Sequence, residues 1–237
     1  MRVRDCNWNM LEEYLKRDDR AVLPLGSTEQ HGYLSLCTDA LLAEEVALAA
    51  AEPLGIPVFP VLSYGLAPYF MAFPGTISLS VKTYCAVVEE ILDSLYTHGF
   101  RRILIVNGHG GNQPAFSQAQ EWACRRGAYA LFHNWWNAPK VWAKVSAIDP
   151  RAAHACWMEN FPCTRIDGVK MPENAKKPIE LATVRQLSPA CIRAYIGDGN
   201  YGGAYERPDS IMQEIFETGV LETRELLENG WAGGCKK

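Results

Sequence analysis

The sequence predicts an α/β fold of three αβα layers, in which helices cover both faces of a mostly parallel central sheet. Short apolar runs of strand length alternate along the chain with segments that carry apolar residues at helical spacing. Alternation of this kind is typical of parallel sheets covered by helices. The 237 residues, 48% of them hydrophobic, can bury a sizeable core, and no repeat or linker interrupts them. We therefore predict a single domain over residues 1–237.

The first hundred residues predict two strands and three helices. The segment WNMLEEYLKR has one apolar helical face, and the short run AVLPLG after it is typical of a buried strand. Thr38 or Asp39 can cap a helix that runs to about Ala51, and IPVFPVLSYG is a second strand region. After the loop YFMAFPGTISLS, Ser80 can cap a long helix that ends at Gly99.

The rest of the chain begins with the same alternation and then loses it. RRILIVNGHGGN is an apolar strand that ends in a glycine-rich turn, a helix over 113–126 follows, and AYALFHNWW is another strand. Beyond residue 160 the segments DGVKMPENAKKPIEL and GDGNYGGAYERPD are long polar loops. The second of these loops, 197–209, is either a lid or an oligomer contact. An amphipathic helix over 209–229 closes the pattern.

Charge and hydropathy exclude several classes of protein. The net charge of −4 and the pI of about 5.8 provide no basic footprint for a nucleic acid. No run approaches the ~18 apolar residues of a membrane span, and the start MRVRD lacks a signal-peptide core. The 8 cysteines are scattered without a CxxC pair, so we expect reduced thiols, most of them buried. We expect a cytoplasmic protein with a small-molecule partner.

Polar clusters follow the ends of three predicted strands, at 27–39, 107–112 and 133–137. Ligands of open parallel sheets bind beyond the carboxyl ends of the strands, so we expect these clusters to converge at one edge of the sheet. The first cluster packs Glu29, His31 and Asp39 into eleven residues, and the strand loops also carry His109 and His133.

A second group, His154 and Glu159, lies further along the chain. Imidazole and carboxylate groups on adjacent strand ends suit a divalent metal such as zinc or manganese. Two histidines with two or three carboxylates can hold a pair of metals that share one aspartate. Other chemistries fit poorly, because the chain has no GxGxxG fingerprint, no Walker lysine, no GxSxG elbow and no HExxH.

The motifs LGSTEQHG…TD, FPGTISLS, NGHGGN and HA…E, in this order and spacing, resemble the creatininase family of metal-dependent amidohydrolases. The resemblance covers roughly residues 8–165. It implies a creatininase-like αβα fold and a site for two divalent metal ions, zinc and/or manganese, with iron also compatible. It also implies a hydroxide held by the two metals that hydrolyses a non-peptide C–N bond, usually in a cyclic amide. Relatives form homo-oligomers, often hexamers.

The resemblance assigns roles to individual residues. Glu29 and His31 match the first two metal ligands, Asp39 matches the bridging aspartate, and His109 matches the ligand of the glycine-rich turn. Creatininase has a further glutamate ligand two residues beyond that histidine, where this chain has Gly111.

The missing ligand must come from elsewhere in the chain. Glu159 is the candidate for it, and it is also a candidate catalytic residue. His154 matches the histidine that carries a proton to the leaving nitrogen. Its alternative role is as a hydrogen-bond partner of Glu159.

The surroundings of the ligands depart from the family pattern. EQHGYLSLCTD is one residue shorter than usual and lacks a second histidine, and Phe70 stands where relatives often have histidine. Trp135 or Trp136 maps near a tryptophan that contacts substrate in creatininase, and both could equally be packed in the core. With Phe70, His133 and Tyr64 these two tryptophans are the predicted substrate contacts. Creatinine itself is not the expected substrate.

The sequence leaves three alternative functions open. One is a C–C hydrolase that opens the ring of a cyclic keto-inositol, such as 3-dehydro-scyllo-inosose. Another is a deformylase acting on a formylamino-pyrimidine nucleotide, for which Arg193 and Arg207 are the only candidate phosphate contacts. The third is a non-catalytic metal-binding relative, although a decayed site should lose its ligands first, and this one retains four of them.

Overall fold

The computed structural model describes residues 1–231 and contains a parallel sheet of three strands between two layers of helices. The strands, in the order β1-β2-β3, are β1 (Arg20–Leu25), β2 (Arg102–Asn107) and β3 (Tyr129–Asn134). The α-helices are α1 (Trp8–Leu15), α2 (Thr38–Ala51), α3 (Val81–His98), α4 (Gln113–Arg126), α5 (Pro139–Ile148), α6 (Leu181–Val184), α7 (Pro189–Ile196) and α8 (Asp209–Asn229). The predicted α/β class with a parallel sheet is confirmed.

Alternate strand residues point into two separate cores, one on each face of the sheet. Val22 and Leu104 pack into the core shared with α2, α5 and α8. Leu23 and Ile103 point the other way, into the core shared with α3 and α4. Since successive side chains of a strand face opposite sides, a strand buried on both faces must be apolar throughout. The continuous run ILIV of β2 meets this requirement.

The predicted second strand, IPVFPVLSYG, is not a regular strand in the structure. It runs parallel to β1 but forms only isolated bridges, Val58 with Val22 and Leu62 with Leu25. The segment still makes four backbone hydrogen bonds with β1 and the residue after it. Pro57 and Pro60 interrupt the ladder because proline has no N–H to donate. The predicted strand therefore lies beside β1, as expected, but it does not form a regular ladder of hydrogen bonds.

Two further expectations are corrected by the structure. The cap of α2 is Cys37 and has no side-chain hydrogen bond, so neither Thr38 nor Asp39 caps the helix. Of the seven cysteines in the described part of the chain, all free thiols, only Cys156 is buried; Cys235 lies outside the described residues. Several cysteines lie on solvent-facing helix and turn positions, where a thiol is not covered. The predicted cap at Ser80 is confirmed, because its hydroxyl accepts the N–H of Thr83.

No helix within residues 1–231 combines the length and the apolar character needed to cross a membrane.

The register of the sheet brings three loops to one edge. Leu25 pairs with Asn107, and Asn107 pairs with Asn134, so the three strands end in a single row. The chain therefore leaves β1, β2 and β3 at adjacent positions. This row places the loops 26–37, 108–112 and 135–137 side by side, as the alternation of strands and helices predicts.

Two glycines allow the first turn of α2 to lie directly on these strand ends. A Cβ at Gly26 would lie 2.4 Å from Cα of Ala40, and a Cβ at Gly108 would lie 2.3 Å from the backbone oxygen of Asp39. Neither position can carry a side chain unless the helix moves, because the neighbouring atoms belong to the backbone. The close approach sets the position of Asp39 relative to β1 and β2.

We predict that Gly108→Ala lowers the free energy of unfolding by about 1–3 kcal/mol, because the added methyl forces α2 away from the strand ends. Thermal or urea unfolding of the purified variant measures the change. Gly110→Ala is the matched control in the same turn, since the nearest atom to its Cβ would be 3.9 Å away, on Trp136. Equal stability of the two variants would contradict the close-approach argument.

At the end of β3, the side chains of His133 and Trp135, both predicted to contact substrate, point away from the strand-end loops. His133 is buried, and its Nε2 lies 3.1 Å from Oγ1 of Thr223 on α8. Trp135 is also buried, with its ring 6.0 Å from that of Phe161 and packed over Gly219. Both side chains lie on the face of the sheet that α8 covers. Both side chains are packed in the core. For Trp135 this is the alternative that the sequence left open.

The buried His133 predicts a pH-dependent loss of stability. Burial lowers the pKa of His133 to about 4, whereas an unfolded histidine titrates near 6.5. Between these values the unfolded state binds more protons, so stability falls as the pH falls from 7 toward 4. We expect this residue to remove about 2 kcal/mol of stability by pH 5.

Urea unfolding at pH 7 and pH 5 measures this contribution by comparison with His133→Gln, which does not titrate. The stability of the native chain relative to the variant should decrease by about 2 kcal/mol between the two pH values. His98→Gln, at an exposed histidine, is the control for the loss of an imidazole outside the core. Parallel profiles for the native chain and His133→Gln would contradict the prediction.

Candidate metal centre

The strand-end loops bring five chemically reactive side chains into one buried cluster. Glu29 and His31 follow β1, Asp39 lies in the first turn of α2, and His109 follows β2. All four are buried, and Glu159, from a short 3-10 helix at Trp157–Glu159, completes the group. The side chains predicted as metal ligands therefore lie together in the structure.

Asp39 lies at the centre of the cluster, with its two carboxylate oxygens facing different partners. Oδ1 lies 3.0 Å from Nε2 of His31. Oδ2 lies 2.9 Å from Nδ1 of His109 and accepts a hydrogen bond from the Ser27 hydroxyl at 2.8 Å. One carboxylate thus connects two sets of potential ligand atoms.

The side chains form three groups of potential ligands, one of which, Glu29 with His31 and His154, lacks Asp39. The two sets that share Asp39 each contain three residues. The first set consists of Glu29, Asp39 and His109, with Oε1 of Glu29 at 3.3 Å from Nδ1 of His109. The second consists of His31, Asp39 and Glu159, with Oε2 of Glu159 at 3.8 Å from Nε2 of His31. Within each set the potential ligand atoms lie within 4.8 Å of one another. Oxygen and imidazole ligands at this spacing suit a divalent metal such as zinc or manganese.

Backbone carbonyls orient both imidazoles toward the carboxylates. Nε2 of His109 lies 2.9 Å from the backbone oxygen of Leu66, and Nδ1 of His31 lies 3.2 Å from that of Glu29. An N–H at these atoms donates to the carbonyl, which leaves the lone pair of the other ring nitrogen directed at the cluster. Metal-binding histidines are oriented by partners of this kind.

Two buried atoms of the cluster have no hydrogen-bond partner among the described residues. They are Oε2 of Glu29 and Nε2 of His31. Nε2 of His31 is close to Asp39, but the alignment is wrong for a hydrogen bond between them. A buried polar atom without a partner is energetically costly, so such atoms require an explanation. Divalent cations among these ligands would satisfy both atoms, so the residues present fit a metal site.

The electrostatics of the cluster favour positive charge. Burial alone would lower the pKa of His31, but the carboxylates of Asp39, Glu159 and Glu29 raise it to about 10. The pKa of Asp39 is held well below its usual range, because the two adjacent imidazoles outweigh the effect of its burial. Burial raises the pKa of Glu159 to about 7. Cations can replace the protons that this group of buried carboxylates otherwise attracts.

Gly111, where the resemblance implies a further glutamate ligand, leaves no room for a side chain. A Cβ at Gly111 would lie 2.1 Å from the backbone oxygen of Leu66 and 2.3 Å from Nε2 of His109. It would therefore break the hydrogen bond that orients His109. The structure instead places the carboxylate of Glu159 beside His31, on the other side of Asp39.

A strained turn positions Glu159. The backbone N–H of Ala155 donates to Oε2 of Glu159 at 2.6 Å. Ala155 has φ +59°, the only positive φ of a residue other than glycine within residues 1–231. A left-handed conformation at alanine costs about 1–2 kcal/mol. The hydrogen bond to Glu159 is one interaction that offsets this strain.

His154 lies beside the cluster and is fixed by Gln30 and two aromatic rings. Its Nε2 lies 3.0 Å from the backbone oxygen of Gln30 and 2.8 Å from the side-chain Nε2 of the same residue. Its Nδ1 lies 3.7 Å from Oε1 of Glu29. Phe70 stacks on the imidazole at 4.9 Å, and Tyr201 packs on it at 5.0 Å. Burial and the charge of the adjacent His31 keep the pKa of His154 well below its ordinary value.

A cavity of about 540 Å³ opens directly onto the cluster, and we call it the main cavity. Glu29, Asp39, His109, His154 and Glu159 line its polar side. Its aromatic walls are Tyr69, Phe70, Trp136, Trp142 and Tyr201. A volume of this size is typical of a site for a small molecule.

The predicted substrate contacts separate into two groups. Phe70 and Trp136 line the main cavity. Trp135 and His133 lie outside its described lining and pack against Gly219 and Thr223 of α8. Tyr64 also lies outside this lining, and 48% of it is exposed to solvent. Two adjacent residues such as Trp135 and Trp136 cannot direct both rings the same way, and the 3-10 turn that carries them decides which ring faces the cavity.

Several residues of the site were not predicted. Tyr69 and Trp142 line the main cavity, and no sequence pattern marks them. Tyr201 lies in the glycine-rich loop 197–209, whose composition was the one available signal. Gln30 contacts His154 and also donates to the backbone oxygen of Gly199 at 3.2 Å. Its place between two predicted ligands could have indicated a supporting role.

Curated relatives match parts of this chain. Creatinine amidohydrolase of Pseudomonas putida is 33% identical over 135 residues, which cover 54% of this chain and 52% of the relative. The mycofactocin precursor peptide peptidase of Mycolicibacterium smegmatis is 38% identical over 105 residues, covering 41% and 42%. The 3-dehydro-scyllo-inosose hydrolase of Thermotoga maritima is 30% identical over 102 residues, covering 42% and 33%. The matched segments thus span about half or less of each relative.

Solved structures match over nearly the whole chain. The crystal structure of creatinine amidohydrolase superposes with a TM-score of 0.81 at 22% identity, covering 98% of both chains. A structure described as manganese creatininase superposes with a TM-score of 0.74 at 22% identity, covering 98% of this chain and 99% of the other. At this identity the likeness shows a shared fold. The sequence profile of the Creatininase family, described as creatinine amidohydrolase, matches residues 4–227. The chain therefore belongs to the creatininase family.

Proposed function

We propose that this chain is a metal-dependent hydrolase that cleaves the C–N bond of a small-molecule amide, with a cyclic amide as the leading substrate class. The observation that carries the proposal is the double-facing carboxylate of Asp39, with a set of ligand atoms at each oxygen. Glu29, Asp39 and His109 would hold one divalent cation, and His31, Asp39 and Glu159 the other. Zinc and manganese suit these ligands, and iron is also compatible.

Two divalent cations at such a site supply Lewis acidity, which polarises a substrate carbonyl and lowers the pKa of water. The remaining steps fall to the chain itself. His154 directs Nδ1 toward the cluster and can accept a proton there from the attacking water, then return it to the leaving nitrogen. Phe70, Tyr201 and Gln30 hold the imidazole in place for this transfer.

The aromatic walls of the main cavity provide apolar contacts for a substrate. Trp136 and Trp142 form the part of the wall contributed by the segment after β3. With a volume of about 540 Å³, the cavity can hold small molecules of different shapes. The ligand cluster therefore determines which bond reacts, and the cavity walls determine which substrate binds.

An open-chain amide, including a peptide, is the second candidate. It is supported by the 38% identity to a mycofactocin precursor peptide peptidase over 41% of this chain. Ring opening of a keto-inositol is supported by the 30% identity to 3-dehydro-scyllo-inosose hydrolase. Deformylation of a pyrimidine nucleotide stays a prediction from the resemblance alone.

We carry forward three expectations with this proposal: a single domain over residues 1–237, a cytoplasmic location and a homo-oligomer, with a hexamer as the leading assembly. They derive from the sequence and the resemblance. Light scattering coupled to gel filtration tests the assembly directly.

We predict that Asp39→Asn reduces bound metal from about two equivalents to well below one, because the bridging carboxylate is common to both ligand sets. Mass spectrometry of metals in protein purified without chelators measures the content. Glu44→Gln, on the same helix and outside both sets, is the matched control and should retain about two equivalents.

The two sets can be separated by variants of their unshared ligands. His109→Asn should remove one equivalent and Glu159→Gln the other, whereas Asp39→Asn removes both. Retention of both metals by Asp39→Asn would show that this residue is not the bridge. Less than one equivalent in the native protein would contradict the two-metal site.

The activity itself is tested by a screen of cyclic amides, formamides, peptide amides and cyclic ketones with manganese- and zinc-loaded protein.

We predict that His154→Ala lowers kcat on the hydrolysed substrate by about 10²–10⁴-fold, the usual contribution of a positioned acid–base group. Its metal content should stay native, which separates a proton-transfer role from ligation. A loss of metal in this variant, or an unchanged kcat, would contradict the assignment.

A further inference from the structure

The main cavity has an apolar neighbour that the proposed reaction does not use. This side cavity has a volume of about 460 Å³ and is formed by the segment that carries α6 and α7. Tyr69 and Tyr201 line both cavities, so these two side chains form a wall that the main cavity and the side cavity share.

The side cavity is apolar on the inside and carries one charge. Leu181, Val184, Leu187 and Ile192 supply its aliphatic surface, and Val184 and Ile192 are buried in a small hydrophobic cluster with Phe70. Arg185 is the only charged residue among the described residues of this wall. The metal-facing cavity, in contrast, is lined by three carboxylates and two histidines.

The two tyrosines of the shared wall also pack beside residues of the ligand cluster. Tyr201 packs on the imidazole of His154, with ring centroids 5.0 Å apart. Tyr69 packs on Phe70 at 4.6 Å, and its hydroxyl would lie 3.0 Å from a Cβ at Gly111, in the turn that carries His109. The same two tyrosines therefore border the side cavity and contact residues beside the ligand cluster.

We propose that the side cavity is a substrate subsite that binds an apolar arm of the amide whose reacting bond lies in the main cavity, with Arg185 binding a carboxylate at the end of that arm. The substrate class is thus an amide with an extended hydrophobic substituent and an anionic terminus. The proposal rests on the proposed function, since the reacting end of the substrate is located by the metal cluster. An arm of this kind gains affinity from each methylene removed from water.

Binding of simple hydroxamates tests the subsite without turnover, because a hydroxamate chelates the metals and its substituent can be varied. The three probes are acetohydroxamate, 4-phenylbutyrohydroxamate and the monohydroxamate of suberic acid, titrated calorimetrically into manganese-loaded protein. We expect the phenyl-armed probe to bind at least about 10-fold more tightly than acetohydroxamate, which has no arm.

Leu181→Trp fills the side cavity and should reduce that preference to less than about 3-fold, while the affinity for acetohydroxamate stays native. Leu181 is 47% exposed, so the larger ring does not disturb a core. Leu221→Trp, at a leucine on α8 that is 54% exposed, is the matched control and should retain the preference. An intact preference in Leu181→Trp would overturn the location of the arm.

Arg185 is tested with the probe that ends in a carboxylate. Arg185→Gln should weaken the suberic monohydroxamate about 5- to 10-fold, Arg185→Lys should weaken it less, and neither should change binding of the phenyl-armed probe. Equal affinity of the native protein for all three probes would contradict the subsite and leave the proposed hydrolase standing. Failure of acetohydroxamate to bind metal-loaded protein would contradict the metal centre and the subsite together.

Discussion

The candidate site depends on one close approach, that of the first turn of α2 to the ends of β1 and β2. Gly26 and Gly108 make this approach sterically possible, because a side chain at either position would collide with the helix backbone. The approach brings the carboxylate of Asp39 between the imidazoles of His31 and His109, at 3.0 and 2.9 Å. Every other feature of the cluster is arranged around that carboxylate.

A buried group of carboxylates and imidazoles is unfavourable by itself, and its persistence indicates that positive charge is part of the native site. Buried charges are retained where they are paired or where they coordinate metals. The carboxylates around His31 raise its pKa, and Oε2 of Glu29 has no hydrogen-bond partner among the described residues. Both observations indicate that this cluster of carboxylates favours bound cations. The left-handed conformation of Ala155, beside Glu159, is local strain of the kind that concentrates at functional sites.

The ligand cluster and the walls of the main cavity come from different parts of the chain. The ligand cluster comes from the loops after β1 and β2, the first turn of α2 and the 3-10 helix at Trp157–Glu159. The walls come from the short helical turn at Pro68–Phe70, the segment after β3 and the loop that holds Tyr201. Loops on a rigid scaffold vary more readily than the elements that they connect. This division agrees with the changed surroundings of the ligands in this chain.

Much of the fold and the ligand cluster could be predicted from the sequence, because both depend on patterns that are local. The apolar run of β2, the cap at Ser80 and the helices at 113–126 and 209–229 follow from periodicity and end signals. Glu29, His31, Asp39 and His109 follow from motifs at strand ends, since the ends of parallel strands meet at one edge. The remaining features required the tertiary structure, because they depend on directions that no local pattern specifies. The prolines of 56–65 reduced a strand to isolated bridges, and the turn after β3 directed Trp136 to the cavity and Trp135 to the core. Tyr69 and Tyr201 reach the site from segments about 130 residues apart in the printed sequence, and only the packing of the chain brings them to one wall.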